Sequence, residues 1–561
     1  MRSILILITN IILKKEREIH MKHMKKIASF LLAAIMVLAM VVPAFAETVE
    51  NKTTHPYKAY QVFSGTQATG SSELGDIVWG SGVSGADLLN AIKADNRFKL
   101  GTPAVNIFAT ANTADDVAKI LAANSSVAQA FANVAAVNLT STATDIAAGA
   151  TSVDLAAGYY LIVDASTLGS ASNDAYNSAL LQITGKEKLT IEKKYDVPSF
   201  DKDIIDNGRN VEAADYNIGD TITYELTGTL PNNYDDYETY KYVFHDKYLS
   251  KGQAFQNDVK VYVGSVSTAN EINPDSVTPT TSTDGTNQTE ITITFNNLKN
   301  LTNVTKDSKI IVRYTAVLTA DANIGSAGNR NEAYLEFSNN PNDAGVGTPS
   351  TGETPHDYTL VFTYELDAEK VDGDNNSTRL GGAQFVLKAT DGDHNGKYVK
   401  LDANGKISGW LDTKPSEVED NADVAAAAAD GVLITAADTG LVNIKGLDAG
   451  TYELEEIKAP AGYNKLSAPI TLTVAATITG TDTSTHDTVD PALETLNIKV
   501  GNKSAEAGNI STGVVTTKIE NNKGTTLPTT GGIGTTIFYV LGSILVLGAV
   551  ILLVTRRRMS R

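Results

Sequence analysis

The spacing of apolar residues separates two hydrophobic ends from a long polar middle. The apolar runs Ile27–Val42 and Ile533–Val554 are nearly free of charge, and the second is long enough to cross a membrane as a helix. In the part of the chain that follows the first run, helical spacing rich in Ala and Leu predicts helices at Ser84–Ala94 and Ala114–Val137. Strands are predicted nearby, so this first part of the chain mixes both types.

After Tyr195 the pattern changes to alternation of apolar and polar residues. Thr221–Leu226, Glu290–Phe295 and Ile310–Leu318 alternate in this way and are separated by turn residues at intervals typical of a β-sandwich. We therefore predict a mainly β fold of tandem immunoglobulin-like β-sandwich domains, the first with helical insertions. A seam rich in Pro, Gly and Thr, Asn340–Pro355, indicates a boundary. The expected segments are 1–46, 47–193, 194–352, 353–526 and 527–561.

The N-terminal segment has the layout of a secretory signal peptide. Lysines precede the first apolar run, and small residues close it at Ala44 and Ala46, so cleavage is expected after Ala46. The stretch before Met21 fits no signal architecture, and translation is expected to start at Met21 or Met24. Both hydrophobic ends are excluded from the prediction of the fold.

Composition narrows the classes of function. The formal net charge is −19, which argues against binding of nucleic acid through charge. Cysteine is absent, so an exported chain of this kind needs another means of stabilisation than disulfides. The histidines lack metal-ligand spacing, and neither a GxSxG motif nor a phosphate-binding loop occurs. We expect no metal, no cofactor and no enzyme acting on a separate substrate.

The most specific motif lies before the second apolar run. It consists of Leu527, Pro528, Thr529, Thr530 and Gly531, and three arginines, Arg556–Arg558, follow the run as a stop on the cytoplasmic side. This order resembles the cell-wall sorting signal of Gram-positive surface proteins. The resemblance implies that a sortase cuts between Thr530 and Gly531 and joins Thr530 to an amine. The alternative is an ordinary tail anchor with a chance pentapeptide.

The last module resembles the collagen-adhesin B-type domain. The resemblance rests on the blocks Tyr364–Asp372, Leu380–Leu387 and Tyr452–Tyr463, which occur in the family's order. It implies an isopeptide bond between Lys370 and an Asn of the last strand, promoted by Glu456. Asn521 fits, since period-two alternation puts it on one face with Ile519. Otherwise Lys370 is a surface lysine and Glu456 a charge at a strand edge.

The middle module resembles the isopeptide-forming domain of Gram-positive fimbrial shaft subunits. Its blocks are Asp196–Lys202, Ile218–Tyr224, Tyr242–Asp246 and Asn331–Pro341. The resemblance implies a bond between Lys202 and Asn339, with an aspartate as the acid. We expect that acid to be Asp246; Asp220 is the alternative, although Gly219-Asp220 reads as a turn.

The first module opens with His55–Gly65, which looks like the N-terminal domain of these fimbrial proteins. Val163 occupies the position of the acid there, so we predict no isopeptide bond in this module. In related subunits the lysine that links one subunit to the next lies between the first two modules. Here Lys194 is the predicted linking residue and Lys193 the alternate; a pair of solvated linker lysines is the remaining possibility.

One motif is discounted. Asp391–Gly396 matches the start of a calcium-binding loop, but Asp402 replaces the final Glu, and the flanking residues have strand character. A polar hairpin turn is the better interpretation.

Taken together, the motifs predict a sortase-assembled fimbrial shaft subunit, secreted and covalently anchored to the cell wall. The partners implied are a sortase, further copies of the chain, minor or tip pilins, peptidoglycan and host matrix. The alternative is a monomeric, peptidoglycan-anchored adhesin that binds host matrix or glycan. It would share every domain feature except the linking lysine.

Overall fold

The structure is a computed structural model that describes residues 47–67, 74–183, 188–281, 288–343, 348–419, 424–436, 438–481, 490–524 and 533–560. Its folded part is mainly β, as predicted. Three modules follow one another along the chain. The first has apolar clusters of its own, whereas one continuous apolar core runs through the middle and third modules.

The first module is built around a five-stranded sheet in which β2 pairs with β8, β3 and β6. A second sheet places β1 between β10 and β7, so the last strand of the module returns beside the first. Its strands are β1 (Glu47–Asn51), β2 (Tyr57–Gln67), β3 (Leu74–Trp79), β4 (Lys99–Leu100), β5 (Val105–Asn106), β6 (Thr144–Ile146), β7 (Val153–Leu155), β8 (Tyr159–Asp164), β9 (Leu180–Ile183) and β10 (Leu189–Ile191).

The helical insertions of the first module are α1 (Gly85–Ala94), α2 (Ala114–Ala123) and α3 (Ala128–Ala136). Thr113 and Asp116 form a capping box at the start of α2. The stretch predicted to be helical throughout is interrupted after α2, because polar residues follow there and the Asn124 side chain donates to the main-chain oxygen of Ile120.

The middle module is a sandwich of two seven-stranded sheets. One has the order β12-β11-β14-β21-β17-β18 with β16 on β21, and the other β13-β24-β22-β15-β20-β19 with β23 on β22. The strands are β11 (Phe200–Asp206), β12 (Arg209–Val211), β13 (Ala213–Asp215), β14 (Thr221–Thr229), β15 (Tyr242–Leu249), β16 (Gln253–Phe255), β17 (Lys260–Val263), β18 (Glu271–Ile272), β19 (Ser276–Thr281), β20 (Gln288–Phe295), β21 (Lys309–Leu318), β22 (Asn329–Ser338), β23 (Thr351–Glu353) and β24 (Asp357–Phe362).

The third module packs a four-stranded sheet, in which β25 pairs with β26, β31 and β36, against an eight-stranded one. It also contains the short helix α4 (Val424–Ala429). The strands are β25 (Tyr364–Asp372), β26 (Asn375–Arg379), β27 (Gln384–Ala389), β28 (Tyr398–Leu401), β29 (Ile407–Leu411), β30 (Leu433–Ile434), β31 (Leu441–Leu447), β32 (Gly450–Lys458), β33 (Ile470–Ile478), β34 (Leu493–Val500), β35 (Glu506–Ala507) and β36 (Val514–Asn521).

The boundary between the middle and third modules differs from the predicted 352/353. After the Pro- and Gly-rich seam, β23 and β24 still pair with β22 of the middle sheet. β24 also pairs in parallel with β13. The middle module therefore extends to Phe362, and the third begins at Tyr364.

The C-terminal apolar run forms a single helix, α5 (Ile533–Met559). It is long and apolar enough to cross a membrane, with a mean hydropathy of 2.8, and none of it is buried against the rest of the protein. The predicted signal cleavage at Ala46 and the pentapeptide Leu527–Gly531 lie outside the described residues.

Candidate functional site: two buried Lys–acid–Asn clusters

In the third module, the structure brings the three predicted residues together. Lys370 lies on β25, Glu456 on β32 and Asn521 at the end of β36, and each is about 1 % exposed. β25 and β36 run parallel, with Lys370 opposite Ile519 and therefore next to Asn521 on the same buried face. The burial of β36 alternates as the sequence predicted.

The contacts of this cluster leave two oxygens available. The Nζ of Lys370 donates to the main-chain oxygen of Ile519 (2.7 Å), and the Nδ2 of Asn521 donates to Oε2 of Glu456 (3.0 Å). Oε1 of Glu456 and Oδ1 of Asn521 are buried without a hydrogen-bond partner within the described residues. Burial lowers the pKa of Lys370 to about 8, although the nearby charge of Glu456 opposes this shift.

In the middle module, Lys202 of β11 and Asp246 of β15 form a fully buried ion pair. Lys202 Nζ lies 2.5 Å from Asp246 Oδ2, and neither side chain is exposed. The amine also lies 4.7 Å from the ring centroid of Tyr224 and 5.7 Å from that of Tyr314. Burial lowers the pKa of Lys202, and the charge of Asp246 opposes this shift. Asp246 therefore occupies the position expected for the acid.

The other candidate acid, Asp220, has a different role. It accepts hydrogen bonds from Asn217 and lies 2.6 Å from Nε2 of His394 in the third module. Asp220 thus contributes to the contact between two modules and not to the Lys202 cluster.

The structure contradicts the choice of Asn339. Asp246 is opposite Ala333 in the β15–β22 pair, and Asn339 follows Ala333 by six residues. At the rise of a strand this separation is about 20 Å. Asn339 is buried elsewhere: its Nδ2 donates to the main-chain oxygen of Asp174 (3.3 Å), and its main-chain oxygen accepts from Tyr176 (2.8 Å). It fastens the middle module to the first.

Asn331 is the asparagine beside the Lys202–Asp246 pair. It precedes Ala333 by two residues on the same buried face of β22, diagonally next to Asp246, and it is fully buried. Its Nδ2 donates to the Tyr314 hydroxyl (2.7 Å), and its Oδ1 has no hydrogen-bond partner within the described part of the chain. The period-two pattern that selected Asn339 would have allowed Asn331 equally.

The predicted linking lysines lie where the first module meets the middle one. Lys193 and Lys194 follow β10, and both side chains are exposed. In the first module, Val163 of β8 is opposite Lys58, whose amine pairs at the surface with Asp145 (3.3 Å). The absence of a bond in this module remains a prediction.

The discounted calcium motif, Asp391–Gly396, connects the antiparallel strands β27 and β28 as a turn. Asp391 accepts hydrogen bonds from the main chain of Thr451, and His394 points to Asp220 of the middle module. The interpretation of the motif as a hairpin turn is therefore correct.

Comparison with known proteins gives two family matches. Residues 416–488 match the model of the SpaA prealbumin-like fold domain, and residues 519–560 match the LPXTG cell wall anchor motif. The first match lies in the module predicted to resemble the collagen-adhesin B-type domain. The second includes the pentapeptide, α5 and the three arginines.

A curated relative is the trypsin-resistant surface T6 protein of Streptococcus pyogenes serotype M6, 24 % identical over 65 % of this chain and 70 % of that protein. Among solved structures, the T6 backbone pilin of serotype M6 S. pyogenes has a TM-score of 0.47 and 15 % identity, with 86 % of this chain and 100 % of that chain covered. The full-length major pilin SpaD of Corynebacterium diphtheriae has a TM-score of 0.42 and 15 % identity, with 86 % and 98 % covered.

The sequence motifs, the two family matches and the surface-protein relative agree with one another. The predicted resemblance is confirmed for two regions of the chain: one matches the SpaA prealbumin-like fold domain and the other the LPXTG cell wall anchor motif, and the chain as a whole is similar to a streptococcal surface protein.

Proposed function

We propose that this protein is the shaft subunit of a covalently polymerised cell-surface pilus. The observation that carries the proposal is the combination of an LPXTG anchor with two modules that each contain a buried cluster of a lysine, an acid and an asparagine. The similarity to the trypsin-resistant surface T6 protein supports a role at the cell surface. The modules would comprise residues 47–193, 194–362 and 364–521, which revises the predicted boundary.

Polymerisation would be a transamidation. The amide bond between Thr530 and Gly531 breaks, the Thr530 carbonyl passes through the sortase to the Nζ of Lys194 in another subunit, and Gly531 leaves with a free amine. Head-to-tail joining of this kind gives an open filament. Sortase, further copies of the chain, minor or tip pilins, peptidoglycan at the base and host matrix at the exposed surface are the proposed partners.

Each buried cluster would form one isopeptide bond inside its module. In the middle module, transfer of a proton from Lys202 to Asp246 yields a neutral amine and a neutral carboxylic acid without changing the net charge of the pair. The amine attacks Cγ of Asn331, and the acid polarises the amide oxygen. Ammonia leaves, and an amide joins the two side chains.

The third module would react in the same way, with Lys370 as nucleophile, Asn521 as electrophile and Glu456 as acid. Lys370 and Asn521 lie on neighbouring strands, and Glu456 already contacts the Asn521 amide. Bond formation removes a buried amine and a buried primary amide, both of which are costly without full hydrogen bonding.

The intact mass of recombinant residues 47–530 tests the two bonds. Each bond expels ammonia and lowers the mass by about 17 Da, so the wild type should be about 34 Da lighter than its sequence. One of the two bonds should be lost in each of the variants Asp246→Ala, Glu456→Ala and Asn331→Ala. The mass deficit of each variant should therefore fall to about 17 Da. Asn339→Ala is the matched control and should keep the full deficit. A wild-type mass equal to the sequence would exclude both bonds.

Polymerisation is tested separately by mixing a pilus-type sortase with a chain that begins at residue 47 and keeps Gly531 after Thr530. We expect ladders of high molecular weight that survive boiling in detergent, because the links are amides. Lys194→Ala should abolish the ladder but leave both isopeptide bonds, as seen by mass. A single band for the wild type would favour the monomeric, wall-anchored adhesin.

A further inference from the structure

The main chain around the linking lysines is held by a buried side chain. Asn177, which is 0 % exposed, donates from Nδ2 to the main-chain oxygen of Glu192 (3.1 Å). Its Oδ1 accepts from the main-chain N–H of Lys194 (3.1 Å). One side-chain amide thus bonds to the chain on both sides of Lys193, as a neighbouring strand would.

Asn177 is itself fixed by three further hydrogen bonds. Its Nδ2 also donates to the Tyr57 hydroxyl (2.9 Å), and its main-chain N–H donates to Oδ2 of Asp164 (2.9 Å). Its main-chain oxygen accepts from Nδ2 of Asn342 in the middle module (2.9 Å). Every polar group of Asn177 therefore makes a hydrogen bond. The residue connects both modules to residues 192–195, the linker between them.

The residue after the lysines is anchored as well. Tyr195 is buried; its hydroxyl lies 3.0 Å from Nε2 of His55, and the two rings stack with centroids 4.7 Å apart. His55 lies between two carboxylates, 2.7 Å from Asp164 and 2.9 Å from Asp174. The linker is thus fixed at Glu192, Lys194 and Tyr195.

This anchoring directs the side chains of Lys193 and Lys194 to opposite sides of the linker. The Nζ of Lys193 lies 4.4 Å above the ring of Tyr195, so these side chains share one side of the extended linker. Because successive side chains of an extended chain point to opposite sides, Lys194 projects the other way. There it lies near Asp236 of the middle module. Burial raises the pKa of this carboxyl, and the positive charge of Lys194 opposes that shift.

We propose that Asn177 is a positioning residue for polymerisation: its clamp on Glu192 and Lys194 presents Lys194, and not Lys193, to the acyl group carried by the sortase. The inference rests on the proposed function. It gives the first module, which is predicted to lack an isopeptide bond, a role in choosing the site of linkage. Without the clamp, the linker can rotate and either amine can reach the acyl group.

The test uses residues 47–530, a pilus-type sortase and a synthetic peptide that contains LPTTG as acyl donor. Peptide mapping by mass spectrometry measures the share of donor on each lysine. The wild type should carry the donor on Lys194. Asn177→Ala should lower the rate of attachment by about tenfold, since orientation is lost, and should also divide the product between Lys193 and Lys194. A variant that was only less stable would not change this ratio.

Asn106→Ala is the matched control. Asn106 is another buried asparagine of the first module, and its side chain donates to the main chain of Ile92 (2.9 Å) and Lys93 (3.0 Å), away from the linker. It should keep the linkage on Lys194. Should Asn177→Ala fail to fold, Asn177→Asp replaces it, since aspartate accepts from Lys194 but cannot donate to Glu192.

The outcomes distinguish the inference from the function on which it rests. If the wild type is linked at Lys194 and the Asn177 variant that folds changes neither the site nor the rate, the role of Asn177 is overturned and polymerisation is left intact. Linkage of the wild type at Lys193 would also overturn it. Attachment to neither lysine would overturn the proposed function itself.

Discussion

The two buried lysine clusters of this protein differ in the contact that the acid makes. The amine of Lys202 contacts its acid, Asp246, at 2.5 Å, whereas in the third module the acid, Glu456, contacts the amide of Asn521 at 3.0 Å. One contact joins the proposed nucleophile to its acid, and the other joins the acid to the amide nitrogen of the proposed electrophile. Burial lowers the pKa of both lysines and so favours the neutral amine.

The lowered pKa of Lys370 leads to a prediction about stability. In Asn521→Ala the bond cannot form and Lys370 keeps its amine. Unfolding returns the pKa from about 8 to its ordinary value near 10.5, so between these pH values the unfolded chain binds more protons than the folded one. The free energy of unfolding should therefore rise with pH across this window, by up to about 3 kcal/mol.

Chemical denaturation of Asn521→Ala between pH 8 and 10.5 measures this change. The wild type is the control, because Lys370 in an isopeptide bond does not titrate. Equal slopes for the two proteins would contradict either the burial of the free amine or the formation of the bond.

The structure brings Lys202 close to Asp246, and Lys370 close to Glu456 and Asn521, as the sequence predicted, but it places Asn339 away from the middle-module cluster. Alternation identifies the face of a strand and not the position along it. The position of β22 is set by its pairing with β15, which places Asn331 beside Asp246. That pairing joins segments far apart in the sequence, so local pattern could not predict it.

At the scale of secondary structure, the sequence predicted where strands occur better than which strands pair with one another. The three strands predicted in the middle module are confirmed as β14, β20 and β21, because alternation is a local signal. The module boundary was misplaced because β24, beyond the Pro- and Gly-rich seam, belongs to the sheet before it. Its parallel pairing with β13 and antiparallel pairing with β22 hold it there, and neither contact is visible in the sequence of β24.

At the scale of the whole molecule, the proposed bonds define how tension would pass along the shaft. Force would enter at Lys194 and leave at Thr530, so the first module would lie outside the loaded path. The Lys202–Asn331 bond would bypass most of the middle module, and the Lys370–Asn521 bond most of the third. Apart from the short ends, only the segment between Asn331 and Lys370 would have no covalent bridge.

That segment is held by β-sheet hydrogen bonds and by side chains of the continuous apolar core, among them Leu335, Phe337 and Phe362. Asn331 of β22 is opposite Thr359 of β24 in an antiparallel pair. Force on Asn331 and on the chain leaving β24 therefore acts at the same end of this pair, and its hydrogen bonds would break one after another. With both proposed bonds formed, this segment would be the extensible element of the chain.

Single-molecule pulling between residue 194 and residue 530 tests this prediction. The segment of about 40 residues should release about 130 Å of chain in the wild type, since an extended residue spans at most about 3.6 Å. Glu456→Ala, which cannot form the third-module bond, should also release the chain between Lys370 and Asn521, about 500 Å more. A wild type that yields nothing before rupture would show that the segment resists load as firmly as the bonds do. Release of the entire chain would show that the bonds do not carry the tension.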